Sequence, residues 1–229
     1  MSLIKRIQLE TDLSEFDATV TDGGDLSWAA AAAMAGSNGG MSILIDDATA
    51  IYGQINAADK KELGYRFYFN PNTLAMANGD DFYLCVDSGN ADFQLRVQKI
   101  AGVYSLYGRV NDDSGVGIYV NTGTIVISFG AVTHWIEVHQ KRSTGVGANN
   151  GYMRIWLDKN LPLPAADASV ENVDDDTRDY DNFLIGAAGS IEAGTLGTFY
   201  IDEIILRDDA VEIGPRISLP LLLRSIEKY

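Results

Sequence analysis

The amino-acid sequence predicts an all-β fold, an antiparallel jelly-roll sandwich of two sheets. Short runs of β-branched and aromatic residues alternate with period two along most of the chain. Links rich in Gly, Asn and Asp separate these runs, and the chain contains 23 Gly but only 5 Pro. Its 229 residues and 46% hydrophobic content suit one folded domain. About a dozen short strands without a long helix are typical of a sandwich.

The alternation predicts strands along the whole chain, in this order: 4–10, 14–20, 41–45, 51–56, 62–69, 81–87, 93–100, 104–110, 117–120, 124–129, 134–142, 152–157, 183–186 and 198–206. Residues 28–35 include five consecutive alanines, which favour a helix. Because so short a helix is marginal and glycines follow it, we expect a strand of small residues there. Residues 165–182 carry seven acidic side chains against one Arg, which predicts a long solvated loop.

The last fourteen residues differ in kind from the rest. Residues 216–229 carry a net charge of +2, whereas residues 1–215 carry −17. We therefore expect a jelly-roll domain over 1–215 and an apolar, basic C-terminal tail over 216–229. Such a tail suits docking onto a partner or a second copy, which would make a homo-oligomer or larger assembly. It equally suits a last strand that covers an edge of the sandwich.

Composition also excludes several classes of protein. A net charge of −15 argues against sequence-independent binding of nucleic acid, which needs a surplus of Lys and Arg. No apolar run approaches the roughly 20 residues of a membrane-spanning helix. The single cysteine, Cys85, cannot form an intramolecular disulfide. No motif for a phosphate-binding loop, a dinucleotide site or a nucleophilic serine is present.

Three segments carry a family resemblance. Residues 134–143 (HWIEVHQKRS) and 151–158 (GYMRIWLD) resemble a hairpin of concanavalin-A-like lectin/glucanase domains, including the laminin-G-like group. Residues 197–206 (GTFYIDEIIL) are similar to the closing strand of those domains, and residues 35–44 (AGSNGGMSIL) resemble their early strand. Lys159-Asn160 departs from the pattern, since many relatives place Gly after the Asp. The resemblance implies a jelly roll with one concave sheet, and this fold hosts lectins, glycan hydrolases and lyases, and structural modules.

The residues argue against hydrolysis. Retaining glycoside hydrolases of this fold carry two carboxylates on one face of a strand. Asp202 and Glu203 are adjacent, so alternation points them to opposite faces, and Glu137 stands alone on its strand. The leading prediction is thus a non-catalytic carbohydrate-binding or adhesive module of a larger surface or virion assembly. The alternatives are a purely structural self-assembling or decorating subunit, and a divergent glycan hydrolase or lyase, with Glu137 as the hydrolase candidate. The corresponding location is extracellular, at the cell surface or on a virion.

Alternation also predicts the binding face. Several strands place aliphatic side chains on one side and aromatic, Arg and amide side chains on the other, a mixture that suits sugar rings and hydroxyls. If these strands are neighbours, the arginines add affinity for acidic glycans. The predicted ligand-binding residues are Arg66, Tyr68, Arg96, Arg109, Trp135, Glu137, Tyr152, Arg154 and Trp156.

No cofactor is expected, and calcium is the open alternative. An acidic loop with several oxygen ligands can wrap Ca²⁺, although the spacing does not match an EF-hand. The candidate ligands are Asn172, Asp174, Asp176, Asp179 and Asp181.

Overall fold

The computed structural model describes residues 2–89, 91–178 and 180–216. About half of the chain, 52%, lies in strands and 3% in helix, and two antiparallel sheets pack as a sandwich. The predicted all-β jelly-roll class is therefore confirmed. Within the described residues, none of the helical segments is long and apolar enough to cross a membrane.

The described residues form fifteen strands: β1 (Leu3–Ile7), β2 (Ala18–Val20), β3 (Leu26–Ala29), β4 (Gly40–Ile45), β5 (Ile51–Lys60), β6 (Glu62–Asn70), β7 (Asp81–Asp87), β8 (Phe93–Ile100), β9 (Val103–Asn111), β10 (Gly117–Val126), β11 (His134–Lys141), β12 (Gly151–Leu157), β13 (Ala168–Val173), β14 (Tyr180–Ala187) and β15 (Gly197–Arg207).

The strands divide into two sheets. The first sheet has the order β13-β12-β11-β6-β15-β4-β3, with β1 also paired to β15. The second sheet has the order β10-β9-β8-β7-β14-β5-β2. Neighbours such as β6 and β15 are far apart in sequence, as expected for a jelly roll. Because every strand alternates between the core and the outside, each sheet also has an outer face.

Aromatic side chains join the two sheets across the core. Tyr65 of the first sheet lies 4.8 Å from Phe183 of the second, measured between ring centroids. Phe199 and Phe82 make a similar pair at 5.6 Å. All four side chains are fully buried. Tilted ring pairs of this kind stabilise a core beyond the area that they bury.

Two local predictions were wrong. The expected strand at 28–35 ends at Ala29, and Ala30–Ala32 form a 3-10 turn instead. The expected loop at 165–182 contains β13, which pairs with β12 as an edge strand. The acidic residues there made the segment look like a loop, but an edge strand can expose charged side chains to solvent and still pair along its other edge. The structure therefore explains the charge without a long loop.

The C-terminal region leaves β15 and returns over the first sheet. Residues 211–216, which we call the C-terminal strap, contact side chains on the outer face of that sheet. Residues 217–229, the rest of the predicted tail, lie outside the described residues. The boundary at residue 215 and docking through the tail stay predictions.

Candidate functional site

The predicted binding residues are divided between the two sheets. Seven of them lie on β6, β11 and β12 in the first sheet, whereas Arg96 and Arg109 lie on β8 and β9 in the second. The condition for a shared face, that the strands are neighbours, therefore holds for seven of the nine residues and not for Arg96 and Arg109. Period-two alternation shows which residues share a side of one strand, but it does not show which strands are neighbours.

On the outer face of the first sheet, cross-strand pairs bring the predicted residues together. Tyr68 lies opposite Trp135, and Arg66 lies opposite Glu137 in the pairing of β6 with β11. Trp156 lies opposite Glu137 on the other side. All five side chains are buried, and burial lowers the pKa of Arg66. Direct contact between these residues and a ligand therefore requires a covering segment to move.

The C-terminal strap covers Glu137. The two carboxylate oxygens of Glu137 accept hydrogen bonds from the backbone N–H of Ile213 at 2.7 Å and of Gly214 at 2.8 Å. His139 Nε2 lies 2.7 Å from the same carboxylate. A carboxylate with these partners and no exposed surface serves to hold the strap, and its predicted role in a divergent hydrolase stays untested.

The strap makes further contacts beyond Glu137. The backbone N–H of Arg216 donates to Tyr68 Oη at 2.8 Å, and the Arg216 guanidinium pairs with Glu203. Gly214 has a φ of 70°, and a Cβ at this position would overlap the Leu161 side chain. Glycine is therefore required on two grounds, backbone conformation and space.

Other segments cover the two tryptophans. Trp135 packs with Tyr68 and Met34, and Leu163 packs against this cluster. The Trp156 indole N–H donates to the carbonyl of Pro164 at 2.9 Å. Both rings thus contribute to packing within the protein, and their burial removes the stacking surface that a sugar would need.

A bulge in β15 overturns the prediction that Asp202 and Glu203 face opposite ways. The pairing register with β6 shifts between Asp202 and Ile205, and Glu203 has a φ of 50°. One extra residue in a strand resets the alternation. Both carboxyl groups lie on the outer side, where Asp202 bonds Ser37 and Glu203 pairs with Arg216.

Burial and the neighbouring groups change the acidity of this pair. Burial raises the pKa of Asp202 to about 7, although hydrogen bonds from Ser37 and from the Met34 backbone N–H lower it. Glu203 is surrounded by Arg6, Arg66 and Arg216. These groups connect β15, the strap and β6, so the acidic pair holds this side of the sandwich together.

Tyr152 and Arg154 form the partly exposed rim of the first sheet. The Arg154 guanidinium lies 4.1 Å from the Tyr152 ring centroid. Both of its bonding nitrogens donate to Glu171 of β13, at 2.7 and 3.0 Å. The charge of Arg154 is therefore neutralised within the protein, and an incoming anion would have to displace Glu171.

The outer face of the second sheet is organised around Arg96. Its guanidinium lies 4.3 Å from the ring centroid of Tyr83 and 5.6 Å from that of Tyr107. The same group donates to both oxygens of Asp81, at 3.0 and 3.2 Å, and to Gln94. Tyr107 Oη donates to Asp81 at 2.8 Å. Burial is the larger cause, and this hydrogen bond the smaller one, of a raised pKa for Tyr107.

This network changes the role predicted for Arg96. All its donor nitrogens are occupied by neighbours in β7 and β8, so Arg96 holds the two tyrosine rings in place rather than offering free donors. The pairing between β7 and β8 shifts register between Tyr83 and Cys85. The bulge puts Cys85 in the core and Val86 on the outside, which the alternation did not predict.

Arg109 and Tyr119 lie beside this network. They are directly opposite each other in the pairing of β9 with β10, and the guanidinium lies 5.8 Å from the Tyr119 ring centroid. Tyr119 is 55% exposed, and its ring centroid lies 6.1 Å from that of Tyr107. The face thus combines three tyrosines with one carboxylate and two arginines.

Sequence reasoning did not select Asp81, Tyr83, Tyr107 or Tyr119 as binding residues. Alternation in 81–87 and 104–110 places Tyr83 and Tyr107 on the outer side of their strands, but it does not link them to Arg96. The available signal was the series of polar and aromatic residues at alternate positions in 94–98 and 105–109, on two strands joined by a tight turn. Such a turn makes consecutive strands neighbours.

The predicted calcium ligands come together in part. The carboxylates of Asp174 and Asp176 lie with that of Asp113, all within 4.8 Å of one another. Partial burial and the Asp113 carboxyl raise the pKa of Asp176. These three carboxylates could hold a hard cation. Two other predicted ligands lie elsewhere, Asn172 in β13 and Asp181 in β14. The fifth, Asp179, is outside the described residues.

Solved structures with a similar fold include a lyase, a hydrolase domain and a calreticulin domain. An alginate lyase in complex with an alginate trisaccharide matches with a TM-score of 0.52 and 9% identity, covering 90% of this chain and 99% of that chain. The catalytic domain of a glycoside hydrolase family 131 protein from Coprinopsis cinerea matches with a TM-score of 0.53 and 12% identity, covering 95% and 98%. The globular domain of T. cruzi calreticulin matches with a TM-score of 0.53 and 13% identity, covering 99% and 93%.

These matches show that the chain shares its fold with the lyase and with the hydrolase domain. Sequence identities this low carry no information about activity or ligand. The sequence matches no protein-family model and no curated protein sequence. The fold implied by the concanavalin-A-like resemblance is therefore supported, whereas the lectin or laminin-G-like assignment stays a prediction.

Proposed function

We propose that this protein is a non-catalytic carbohydrate-binding module whose glycan site is the outer face of β7–β10. The carrying observation is the exposed ring of Tyr119, whose centroid lies 6.1 Å from that of the buried Tyr107 ring. Arg96 and Asp81 hold Tyr107 in a fixed position, and the partly exposed Tyr83 ring packs against the same guanidinium. Rigid rings suit stacking against the C–H faces of sugars, because little conformational entropy is lost on binding.

The chemistry around the rings supports a sugar ligand. Asp81, Gln98 and Tyr83 keep partial exposure on this face, so acceptors and donors for hydroxyl groups lie next to the aromatic surfaces. Arg96 and Tyr107 are buried, but Tyr119 is 55% exposed, so a ligand can reach the Tyr119 ring without displacing another segment. This differs from the buried face of the first sheet.

The non-catalytic part of the proposal rests on the carboxylates. The network supplies one carboxylate, Asp81, and both its oxygens already accept hydrogen bonds from Arg96 and Tyr107. Glycoside hydrolysis of the retaining or inverting kind uses two. The alginate lyase with a bound trisaccharide and the family 131 hydrolase share the fold and make a glycan ligand the first to test.

Binding to neutral and acidic polysaccharides, measured by affinity electrophoresis at low and physiological salt, tests the proposal. We expect retention of the wild type and its loss in Tyr119→Ala, because Tyr119 is exposed enough to be removed without unfolding the protein. Tyr152→Ala, on the first sheet, should still be retained. Loss in Tyr152→Ala alone would move the site to the face predicted from sequence.

Two other results would contradict the proposal. One is the absence of retention on every polysaccharide at either salt concentration. The other is release of reducing or unsaturated ends from a retained polysaccharide, which would make the protein an enzyme. Circular dichroism of each variant shows whether a loss of retention reflects unfolding.

We extend the proposal to assembly and location on the sequence evidence alone. The basic tail would join copies or attach the module to a surface or virion structure. Deleting residues 217–229 should then lower the mass measured in solution by light scattering. An unchanged mass would contradict assembly through the tail and leave the glycan site unaffected.

A further inference from the structure

One arginine on the proposed glycan face differs from the others. The described residues include nine arginines, and eight of these make a hydrogen bond or an ion pair within the chain. Arg109 makes neither, and its guanidinium lies 5.8 Å from the centroid of the Tyr119 ring. In a chain with 32 acidic residues, a guanidinium without a carboxylate partner is unusual.

The position of the guanidinium explains how Arg109 is held. A Cβ built on Gly117 would overlap Arg109 Nε, Cζ and a terminal nitrogen, so the guanidinium lies directly over this glycine. Arg109 Nε is buried and has no hydrogen-bond partner within the described residues. The two terminal nitrogens also lack a partner there, but they are not fully buried. The terminal nitrogens are therefore the donors that a ligand can reach.

Arg154 provides a comparison for Arg109, because its charge is neutralised by a carboxylate of the same sheet. It also packs against a tyrosine, at 4.1 Å from the Tyr152 ring centroid, but Glu171 takes two of its donors. On the second sheet, the nearby carboxylate Asp81 is used by Arg96 and Tyr107. Nothing equivalent to Glu171 bonds to Arg109 within the described residues.

We propose that Arg109 binds the anionic group of an acidic glycan, either a carboxylate or a sulfate, while the neighbouring sugar ring packs on Tyr119. This inference rests on the proposed glycan site and names its ligand class. The two terminal nitrogens of a guanidinium match two oxygens of a carboxylate or sulfate. Tyr119 lies opposite Arg109 on β10, so stacking and charge recognition occur on adjacent strands.

The experiment compares polysaccharides that differ in charge and little else. Polygalacturonate and its methyl ester share a backbone, and chondroitin sulfate and its desulfated form distinguish a sulfate from a carboxylate. Affinities are measured for wild type, Arg109→Gln and Arg207→Gln by calorimetry at low salt, and again at physiological salt. Arg207→Gln is the control, because it removes the same charge from an arginine that is paired with Asp209 away from the site.

In one of the two pairs, we expect the wild type to bind the form that carries the recognised group about 10-fold more tightly than the form that lacks it, as charge-assisted hydrogen bonds are roughly twice as strong as neutral ones. Arg109→Gln should bring this ratio close to one and remove most of the salt dependence, whereas Arg207→Gln should change neither. Whichever pair shows the preference identifies carboxylate or sulfate as the group recognised.

Each other outcome has a definite meaning. If the wild type binds the two members of each pair equally, the glycan site stands and the role of Arg109 is wrong. If Arg109→Gln keeps the preference, another cation reads the anion and the inference is again wrong. If the wild type binds none of the four polysaccharides and no other glycan in the panel described above, the proposed function and this inference fail together.

Discussion

On the outer face of the first sheet, the Glu137 carboxylate accepts two backbone N–H groups of the C-terminal strap and contacts His139. On the outer face of the second sheet, Arg109 has no hydrogen-bond or ion-pair partner within the described residues. Both faces carry tyrosine, arginine and carboxylate side chains. Composition is therefore a poor guide to which face binds a ligand.

The difference lies in what completes the hydrogen bonds of each face. Segments from outside the first sheet complete its polar groups and cover its rings, as the contacts of Tyr68 and Trp156 show. In the second sheet, most polar groups on the outer face bond to side chains of the same sheet, and Tyr119 and Arg109 keep surface that is accessible to a ligand. Polar groups already satisfied within the protein contribute to stability, whereas unsatisfied accessible groups remain available to a ligand.

Replacing Glu137 with Ala tests the structural role of the first face and has the largest expected effect. The change leaves two strap N–H groups unpaired and removes the negative charge beside the buried Arg66. We expect the free energy of unfolding to fall by about 3 kcal/mol, as for other buried charge pairs that lose one member. Urea unfolding measures it, and Arg109→Ala should change it by less than about 0.5 kcal/mol. Similar losses of unfolding free energy in both variants would contradict the proposed difference between the two faces.

Gly214→Val tests whether the strap depends on its own backbone conformation. Valine at a φ of 70° is strained, and its side chain would overlap Leu161. We expect a loss of about 2 kcal/mol in the free energy of unfolding and faster proteolysis within 211–216. Gly102→Val is the matched control, because Gly102 has a φ of 80° but open space around it. Equal proteolysis of the strap in both variants would show that the contact with Leu161 is unimportant.

The pH dependence of stability sharpens the account of the first face. Burial raises the pKa of Asp202 to about 7, well above the ordinary value of 3.8 for an aspartate side chain. The folded state then holds a proton that the unfolded state releases, so stability falls as pH rises through 7. Between pH 8 and pH 6 we expect stability to increase by about 1 kcal/mol from this group.

Thermal unfolding of wild type and Asp202→Asn across that pH range measures the effect. The amide cannot titrate, so the melting temperature of the variant should change less with pH. Asp87 and Asp175 have pKa values raised to about 6 by burial, so their contributions fall mainly at lower pH. A variant with the full wild-type dependence would place the buried proton on another group.

Arg154→Gln has the smallest expected effect. The ion pair with Glu171 is well aligned, but both side chains are about 40% exposed. Exposed pairs contribute little, and we expect a loss below about 1 kcal/mol that shrinks as salt is added. Urea unfolding at two salt concentrations measures this. A loss as large as that of Glu137→Ala would mean that the rim of the first face is as important to stability as its buried centre.

Sequence alternation correctly predicted which residues share a side in strands without a bulge. Alternation in 134–142 places Trp135, Glu137 and His139 on one side, and alternation in 93–100 places Gln94 and Arg96 on one side, as in β11 and β8 of the structure. It failed at β7 and β15, because bulges at Tyr83 and Glu203 insert a residue that local sequence does not reveal. The strand at 168–173 was missed for another reason: it contains one acidic residue, Glu171, but the surrounding segment 165–182 contains seven, which made the whole segment resemble a loop.

By itself, the sequence determined the all-β class and the inward or outward side of most strand residues, because both follow from local periodicity and turn chemistry. It also determined the excess of negative charge that makes an unpaired arginine notable. Only the tertiary structure decided that Arg109 and Arg154 lie on different sheets and that the strap covers Glu137. Sheet order and the placement of a terminal segment depend on contacts between residues distant in the chain, and local patterns do not encode those contacts.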